Sequence, residues 1–260
     1  MELRKFTLFS ILLLWLPAVQ AETVYPAEIK IITGLDISTG KYGESASTDI
    51  LYLPLTVKYS TFPWRYKLTL PYLSIRGPGT LVGGIDGVEV TNSNNTQVTT
   101  NSGPGDVQLS ASWALDSFWN NVPYIDLVGK IKLPTADESA GLGTGKTDYQ
   151  VQIDIAYVFD NFTPLATLGY KVPGDTETTD YRNQLLASVG FDFKFDETKN
   201  GGLLFDFRQA STDLADHKNE LLGYINWNIN KKYSVNTYLV AGFGDASPDI
   251  GGGIQLSFKQ

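Results

Sequence analysis

The 260-residue chain carries 20 basic and 28 acidic residues, a formal net charge of −8, and no cysteine. Disulfides and thiolate metal centres are therefore excluded, and a cysteine-free chain suits passage through an oxidising compartment. The acidic balance argues against nucleic acid as a partner, because a polyphosphate repels a surface of its own sign.

The chain opens on Arg4 and Lys5, an apolar run from Phe6 to Leu16, a break at Pro17, and small residues in Val19-Gln20-Ala21. This is the order of a secretory signal peptide, and the run falls short of the about 20 residues a spanning helix needs. Residues 1–21 are thus expected to form an export signal, with one domain over 22–260. Losing Glu2, Arg4 and Lys5 leaves 18 basic and 27 acidic residues, a net charge of −9. No later segment sustains an apolar run long enough for a membrane helix.

Beyond residue 27 the dominant period is two. Twelve segments follow it, over 28–37, 48–60, 64–75, 105–115, 122–133, 147–159, 162–172, 182–195, 201–210, 219–229, 232–243 and 250–258. In 147–159, for instance, Tyr149, Val151, Ile153 and Ile155 alternate with Asp148, Gln150, Gln152 and Asp154. Period two makes strands with one apolar and one polar face. The connections alternate as well. Short links at 61–63, 116–121, 160–161, 196–200 and 230–231 are interleaved with longer ones that include 76–104, 134–146, 173–181 and 211–218.

Short turns on one side and long loops on the other are the pattern of an antiparallel up-and-down transmembrane β-barrel, here of about 12 strands. An even count puts both termini on one side, expected to be periplasmic, with the bacterial outer membrane as the location. Trp64, Trp113, Trp119 and Trp227 all fall beside short turns, where amphipathic rings form a membrane-interface girdle. Tyr72, Tyr149, Tyr170 and Phe243 make a looser set at the other strand ends. The last strand ends in Phe258, similar to the terminal aromatic of outer-membrane proteins, although Lys259 and Gln260 follow it. Such a strand implies outer-membrane lipid, lipopolysaccharide and the outer-membrane assembly machinery as partners.

Three apparent chemical motifs read as loops. Ala140 to Thr147 resembles a phosphate-binding loop, but it leads into a strand where phosphate binding needs a helix N-terminus. His217, the one histidine, lies in a long loop near Ser211 and reads as a solvated loop residue, with a Ser–His lipid hydrolase as the alternative. Acidic groups around Asp213, Asp216 and Glu220, and around Asp175, Glu177 and Asp180, are of the type that bridges divalent cations. They too read as solvated loops, so neither a resident metal nor a cofactor is expected.

Two stretches carry a more specific likeness. Gly103-Pro104-Gly105-Asp106 opens a strand; Lys132-Leu133-Pro134-Thr135 closes the next; Gly141-Leu142-Gly143-Thr144-Gly145-Lys146-Thr147-Asp148 follows. Together they resemble the outer-membrane transporter-like family named for the meta-pathway of phenol degradation. The resemblance implies a barrel that passes small compounds, often aromatic or hydrophobic.

If the apolar face meets lipid, the polar register lines a lumen. Its charged members include Lys30, Lys58, Arg65, Lys67, Asp106, Asp126, Lys130, Lys132, Asp148, Asp154, Asp192, Asp206, Arg208 and Glu220, with Asp36, Lys171 and Lys194 beside them. Both signs are present in similar numbers, so the expected function is passive passage of small solutes with weak ion selectivity. A charge-plugged structural or adhesive barrel is the alternative to this non-enzymatic channel. The mature protein is expected to fractionate with the outer membrane and to migrate faster on a gel before heating than after. Recovery as a soluble periplasmic monomer with no heat-modifiable band would end the barrel reading.

Overall fold

The computed structural model describes residues 26–78, 80–84, 87–91, 98–115, 123–176, 181–212 and 215–260. The expected signal segment 1–21, the turn 116–121 and Trp119 lie outside them. The strands in chain order are β1 (Glu28–Gly40), β2 (Thr48–Thr61), β3 (Trp64–Gly77), β4 (Thr80–Gly84), β5 (Gly87–Thr91), β6 (Thr99–Pro104), β7 (Val107–Ala114) and β8 (Tyr124–Leu133). They continue with β9 (Asp148–Ala156), β10 (Phe162–Val172), β11 (Gln184–Lys194), β12 (Lys199–Arg208), β13 (Lys218–Asn228), β14 (Tyr233–Gly242) and β15 (Ile250–Lys259).

All pairings are antiparallel, and consecutive wall strands are neighbours. β1 pairs with β2 on one side and with β15 on the other, from Lys30↔Lys259 to Thr39↔Ile250. That last pairing closes the sheet. β6 and β7 both pair with β3 and act as one wall strand, so the barrel has twelve. The start of β1 and the end of β15 meet at one rim, where the Gln260 amide donates to the Ile29 carbonyl at 3.0 Å. β4 and β5 form a separate hairpin.

The alternation read from sequence is the one the wall uses. Ile29, Ile31, Leu35 and Ile37 of β1 are exposed, as are Val151, Ile153 and Ile155 of β9. Leu239 is 69% and Leu168 63% exposed; a continuous apolar band of this kind is untenable in water and is the lipid face of a membrane barrel. Trp64 stacks on Trp113 with centroids 5.6 Å apart and on Tyr66 at 6.2 Å, while Phe162, Phe193, Phe195, Trp227 and Tyr233 are exposed along the same rim. Two of the short turns are closed by side chains. Asp196 Oδ1 accepts the amides of Thr198 at 2.7 Å and Lys199 at 2.9 Å, and Asn230 Oδ1 accepts those of Lys232 at 2.8 Å and Tyr233 at 2.9 Å. The Thr198 hydroxyl and amide hold the Asp196 carboxyl below the usual carboxylate range.

One boundary differs in a way that matters. Residues 76–104 were expected to be the longest loop, but 99–104 continue the wall. The register passes from Tyr72↔Pro104 to Thr69↔Gln108, so one extra residue is accommodated around Gly105 and Asp106. This is a β-bulge. Pro104 has no amide to give to the ladder, and the bulge turns the Asp106 side chain inward, where it is buried.

On β11, Val189 is 58% exposed, whereas the Ser188 hydroxyl donates to Asp206 inside the barrel. Val189→Arg should therefore weaken assembly by about 2–4 kcal/mol, while Ser188→Arg sets a guanidinium beside Asp206 and should be tolerated. Folding yields in detergent, read from the heat-modifiable band, test this; equal losses would place the strand in the wrong register.

Candidate solute site in the barrel lumen

Every inward side chain belongs to a register row that can be followed from strand to strand. Because barrel strands are tilted, such rows climb the wall. One row runs Lys259↔Lys30↔Lys58↔Lys67↔Ser110↔Lys130↔Gln150↔Lys171, from the rim of the short turns towards that of the long loops. A second runs Asp126↔Asp154↔Thr167↔Ser188↔Asp206↔Glu220 over β8 to β13. A third links Asp192, Gly202, Tyr224, Tyr238, Gly253, Asp36 and Tyr52.

These rows are tied together by hydrogen bonds. Arg65 makes an ion pair with Asp126, Glu28 with Lys259, and Glu220 with Lys218 at 3.0 Å. Asp154 accepts from Gln152 at 2.7 Å and from Thr167 at 2.8 Å. The Tyr224 hydroxyl donates to Asp192 at 2.7 Å, and Tyr238 bonds to Asp36. Both tyrosines lie against glycine: a Cβ on Gly202 would sit 2.9 Å from the Tyr224 hydroxyl, and one on Gly253 would sit 2.8 Å from the Tyr238 ring. Arg208 is on the inward register opposite Lys218.

At the long-loop rim three of the sequence-predicted lumen residues, Asp106, Lys132 and Asp148, are brought together and sealed from water. The Lys132 ammonium lies 2.9 Å from Asp106 and 3.5 Å from Asp148, and the Lys171 ammonium lies 3.5 Å from Asp148. All four side chains are at most 4% exposed. Lys132 also donates to the Thr144 hydroxyl at 3.1 Å. Asp106 Oδ1 accepts the amides of Thr135 and Ala136, each at 3.0 Å, and Asp148 accepts the Gly174 amide at 3.1 Å. Asp106, Lys132, Thr135, Thr144 and Asp148 of the motif-bearing stretches, with Lys171, thus form one clasp. It balances two ammonium groups against two carboxylates and fastens the loop 134–147 to four strands.

The clasped loop turns into the barrel. Leu142, 2% exposed, packs with Tyr42, Ile50, Leu73 and Ile75 in an apolar cluster. Burial pushes the Tyr42 phenol up to about 12, so it remains a neutral hydroxyl. The tip is shaped by Asp137, whose Oδ1 accepts from the Ser139 hydroxyl at 2.6 Å and from the Ser139 amide at 2.9 Å. The Ser139 hydroxyl above all holds this carboxyl low. This geometry answers the phosphate-loop resemblance: the tip presents a buried leucine, and strand β9 follows.

Next to this cluster, sharing Tyr42 and Ile50 with it, lies a lumen cavity of about 490 Å3. Tyr52 and Tyr238 supply rings with polar edges, Ile32, Leu222 and Val240 supply apolar wall, and Asp36, Lys67, Asp206, Lys218 and Glu220 supply charge. Small-molecule sites are usually of this size and of this mixed lining. The sequence reading included Asp36, Lys67, Asp206 and Glu220 among its candidates and missed Lys218, the tyrosines and the inward aliphatics. A signal for the latter exists: Leu73 and Ile75 put apolar residues on the polar register of β3, which a purely wet lumen would not do.

His217 serves its own loop. Its Nδ1 accepts the Ala210 amide at 3.0 Å and its ring lies 5.4 Å from Phe207; the Ser211 carbonyl accepts the Arg182 amide. Among the described residues no hydrogen bond joins Ser211 to His217, and no cluster of His, Asp and Glu could hold a metal ion. Asp213, Glu177 and Asp180 lie outside the described residues.

No family model matches the chain, and no curated protein matches it. Among solved structures it resembles the KdgM porin, with a TM-score of 0.54 and 8% identity over 88% of this chain and 98% of that one. The same porin in complex with disordered oligogalacturonate gives a TM-score of 0.51 at 8% identity, over 89% and 98%. The transport unit of the autotransporter AIDA-I from Escherichia coli gives 0.51 at 10% identity, over 94% and 93%. At these identities the likeness is one of fold. Together with the lipid-facing band, it makes the chain a bacterial outer-membrane β-barrel.

The clasp generates a stability prediction. Lys132→Met leaves Asp106 and Asp148 buried without their shared cation, which should cost about 3–5 kcal/mol. The temperature at which the folded gel band disappears should fall accordingly. A transition unchanged from wild type would mean that the cluster is hydrated and weakly coupled.

Proposed function

We propose that this protein is a passive outer-membrane channel for small amphipathic compounds, aromatic and hydrophobic ones included. The observation that carries the proposal is the tyrosine- and aliphatic-lined cavity of about 490 Å3 in the middle of a closed barrel. A wall whose inner face only had to fill space would not leave a void of that size with charges around it. The resemblance of the Gly103–Asp106, Lys132–Thr135 and Gly141–Asp148 stretches to the phenol meta-pathway family agrees with this solute class. In this reading the short turns and both termini face the periplasm, the long loops face outward, and the exterior band contacts lipid and lipopolysaccharide. The strand ending at Phe258 is then the one the assembly machinery engages. Overall ion selectivity is weak, because inward bases and acids nearly balance.

Planar bilayers and liposome swelling test the reading. Wild type should pass small solutes with low conductance. Leu142→Ala, which empties the apolar cluster at the mouth and loosens the loop by about 2–5 kcal/mol, should raise conductance severalfold. Silence from both proteins would make this a plugged structural barrel. Lipase activity lost on His217→Ala would instead support a lipid hydrolase.

A further inference from the structure

We propose that a groove on the outer face of the barrel seats one lipopolysaccharide molecule, with Arg76 holding a lipid A phosphate and the groove holding an acyl chain. The proposal rests on the reading that the long loops face outward, and it adds a ligand on the lipid side of the wall.

The groove has a volume of about 1310 Å3 and crosses eight neighbouring strands, from β11 through β15 and β1 to β3. Its lining is chiefly apolar and belongs to the lipid-facing register: Leu203, Ile225, Leu239, Ile254 and Ile37 are all exposed. The depth follows from one outward row, Gly223↔Leu239↔Gly252↔Ile37↔Leu51↔Ser74, in which large and small residues alternate before the row ends on a small one. Such rows climb a tilted wall, so the groove rises diagonally to the long-loop rim. In a bilayer it cannot stand empty, because a void in hydrocarbon forfeits the dispersion contacts of its walls. An acyl chain fills it, in continuity with the lipid that covers the rest of the band.

The upper end decides which lipid supplies that chain. There the groove reaches Arg76. Leu73 and Ile75 pack inward with Leu142, so Arg76, the next residue along β3, points to the lipid side, and it is exposed. Asp49, opposite Arg76 on β2, accepts the Thr39 hydroxyl at 2.7 Å. Only Gly77 follows Arg76 in the strand, so the guanidinium stands at headgroup height while the apolar walls continue below it. A cation placed so, above an apolar furrow, complements a lipid with an anionic headgroup. Arginine suits phosphate in particular, because its planar fork donates two parallel hydrogen bonds to it. The phosphorylated lipid of the outer leaflet is lipopolysaccharide, whose lipid A part joins phosphates directly to an acylated sugar.

The test uses the full mature chain in detergent, freed of native lipid, with lipid A and its fully dephosphorylated form as probes. Native mass spectrometry should show lipid A retained on the barrel and the dephosphorylated form lost. Arg76→Gln should weaken retention at least about tenfold, the usual loss with a charged hydrogen bond. Ser74→Phe, which fills the groove below Arg76 and keeps the charge, should weaken it too. The heat-modifiable band verifies that both variants are folded, and Lys199→Gln, which removes a half-exposed cation at the short-turn rim, should behave as wild type. Equal retention of the two probes, preference for phosphatidylglycerol over lipid A, or an Arg76→Gln variant that binds as wild type does, overturns the seat. So does a dimer that Ser74→Phe breaks, which would give the groove to a second copy of the chain. Lipid A binding in a protein that conducts nothing upholds the seat and removes the channel; conduction in a protein that retains no lipid A does the reverse.

Discussion

In hydrocarbon an unpaired amide or carbonyl has no water to turn to, so a sheet that crosses a bilayer has to close on itself. The pairing of β1 with β15 is that closure, and the rest of the molecule follows from it. A closed wall has two faces and no edge. Its outer face must be apolar at alternate residues, which leaves the other half of each strand as the only place where polar chemistry can reside. The inside of this barrel is therefore crowded with charge by geometric necessity, and the question becomes how that charge is managed.

Two solutions are visible at different heights. At the long-loop rim the charges are dry: two lysines and two aspartates neutralise one another, with a threonine and backbone amides completing their bonds. Buried ions demand such completeness, because each group left over costs several kcal/mol. Lower down, Arg65 and Asp126 remain partly exposed, and tyrosine hydroxyls reach the carboxylates of Asp36 and Asp192. Glycine is what lets the tyrosine rings lie along the wall instead of across the lumen. The dry solution fixes a loop in place; the wetter one leaves a cavity of about 490 Å3.

Much of the fold was legible because period two is a strong signal. Strand 162–172 is reproduced residue for residue, and other boundaries move by a few residues. The segment before Val107 was harder to read. Thr99 to Pro104 is rich in glycine, proline and small polar residues, so it has a loop's composition, and only pairing with β3 makes it a strand. The inward register of the charges was likewise readable. The gathering of some of them into a sealed clasp was not, since it depends on a one-residue bulge at Gly105–Asp106 and on Leu142 folding back into the mouth. Both are tertiary events. The hint was Leu73 and Ile75, apolar on the wrong face for an all-polar interior.

The clasp has a consequence for how the barrel reaches its native alignment. Asp106 precedes β7, Lys132 lies on β8, Asp148 on β9 and Lys171 on β10. Side-chain direction alternates, so a strand displaced by one residue exchanges its faces completely. A slipped β8 would turn Lys132 towards acyl chains and strand two carboxylates inside. The energetic difference between correct and slipped pairings is thereby enlarged at four consecutive strands. The cluster works as a proofreading lock: it rewards one alignment and makes its neighbours expensive while the wall is still being assembled.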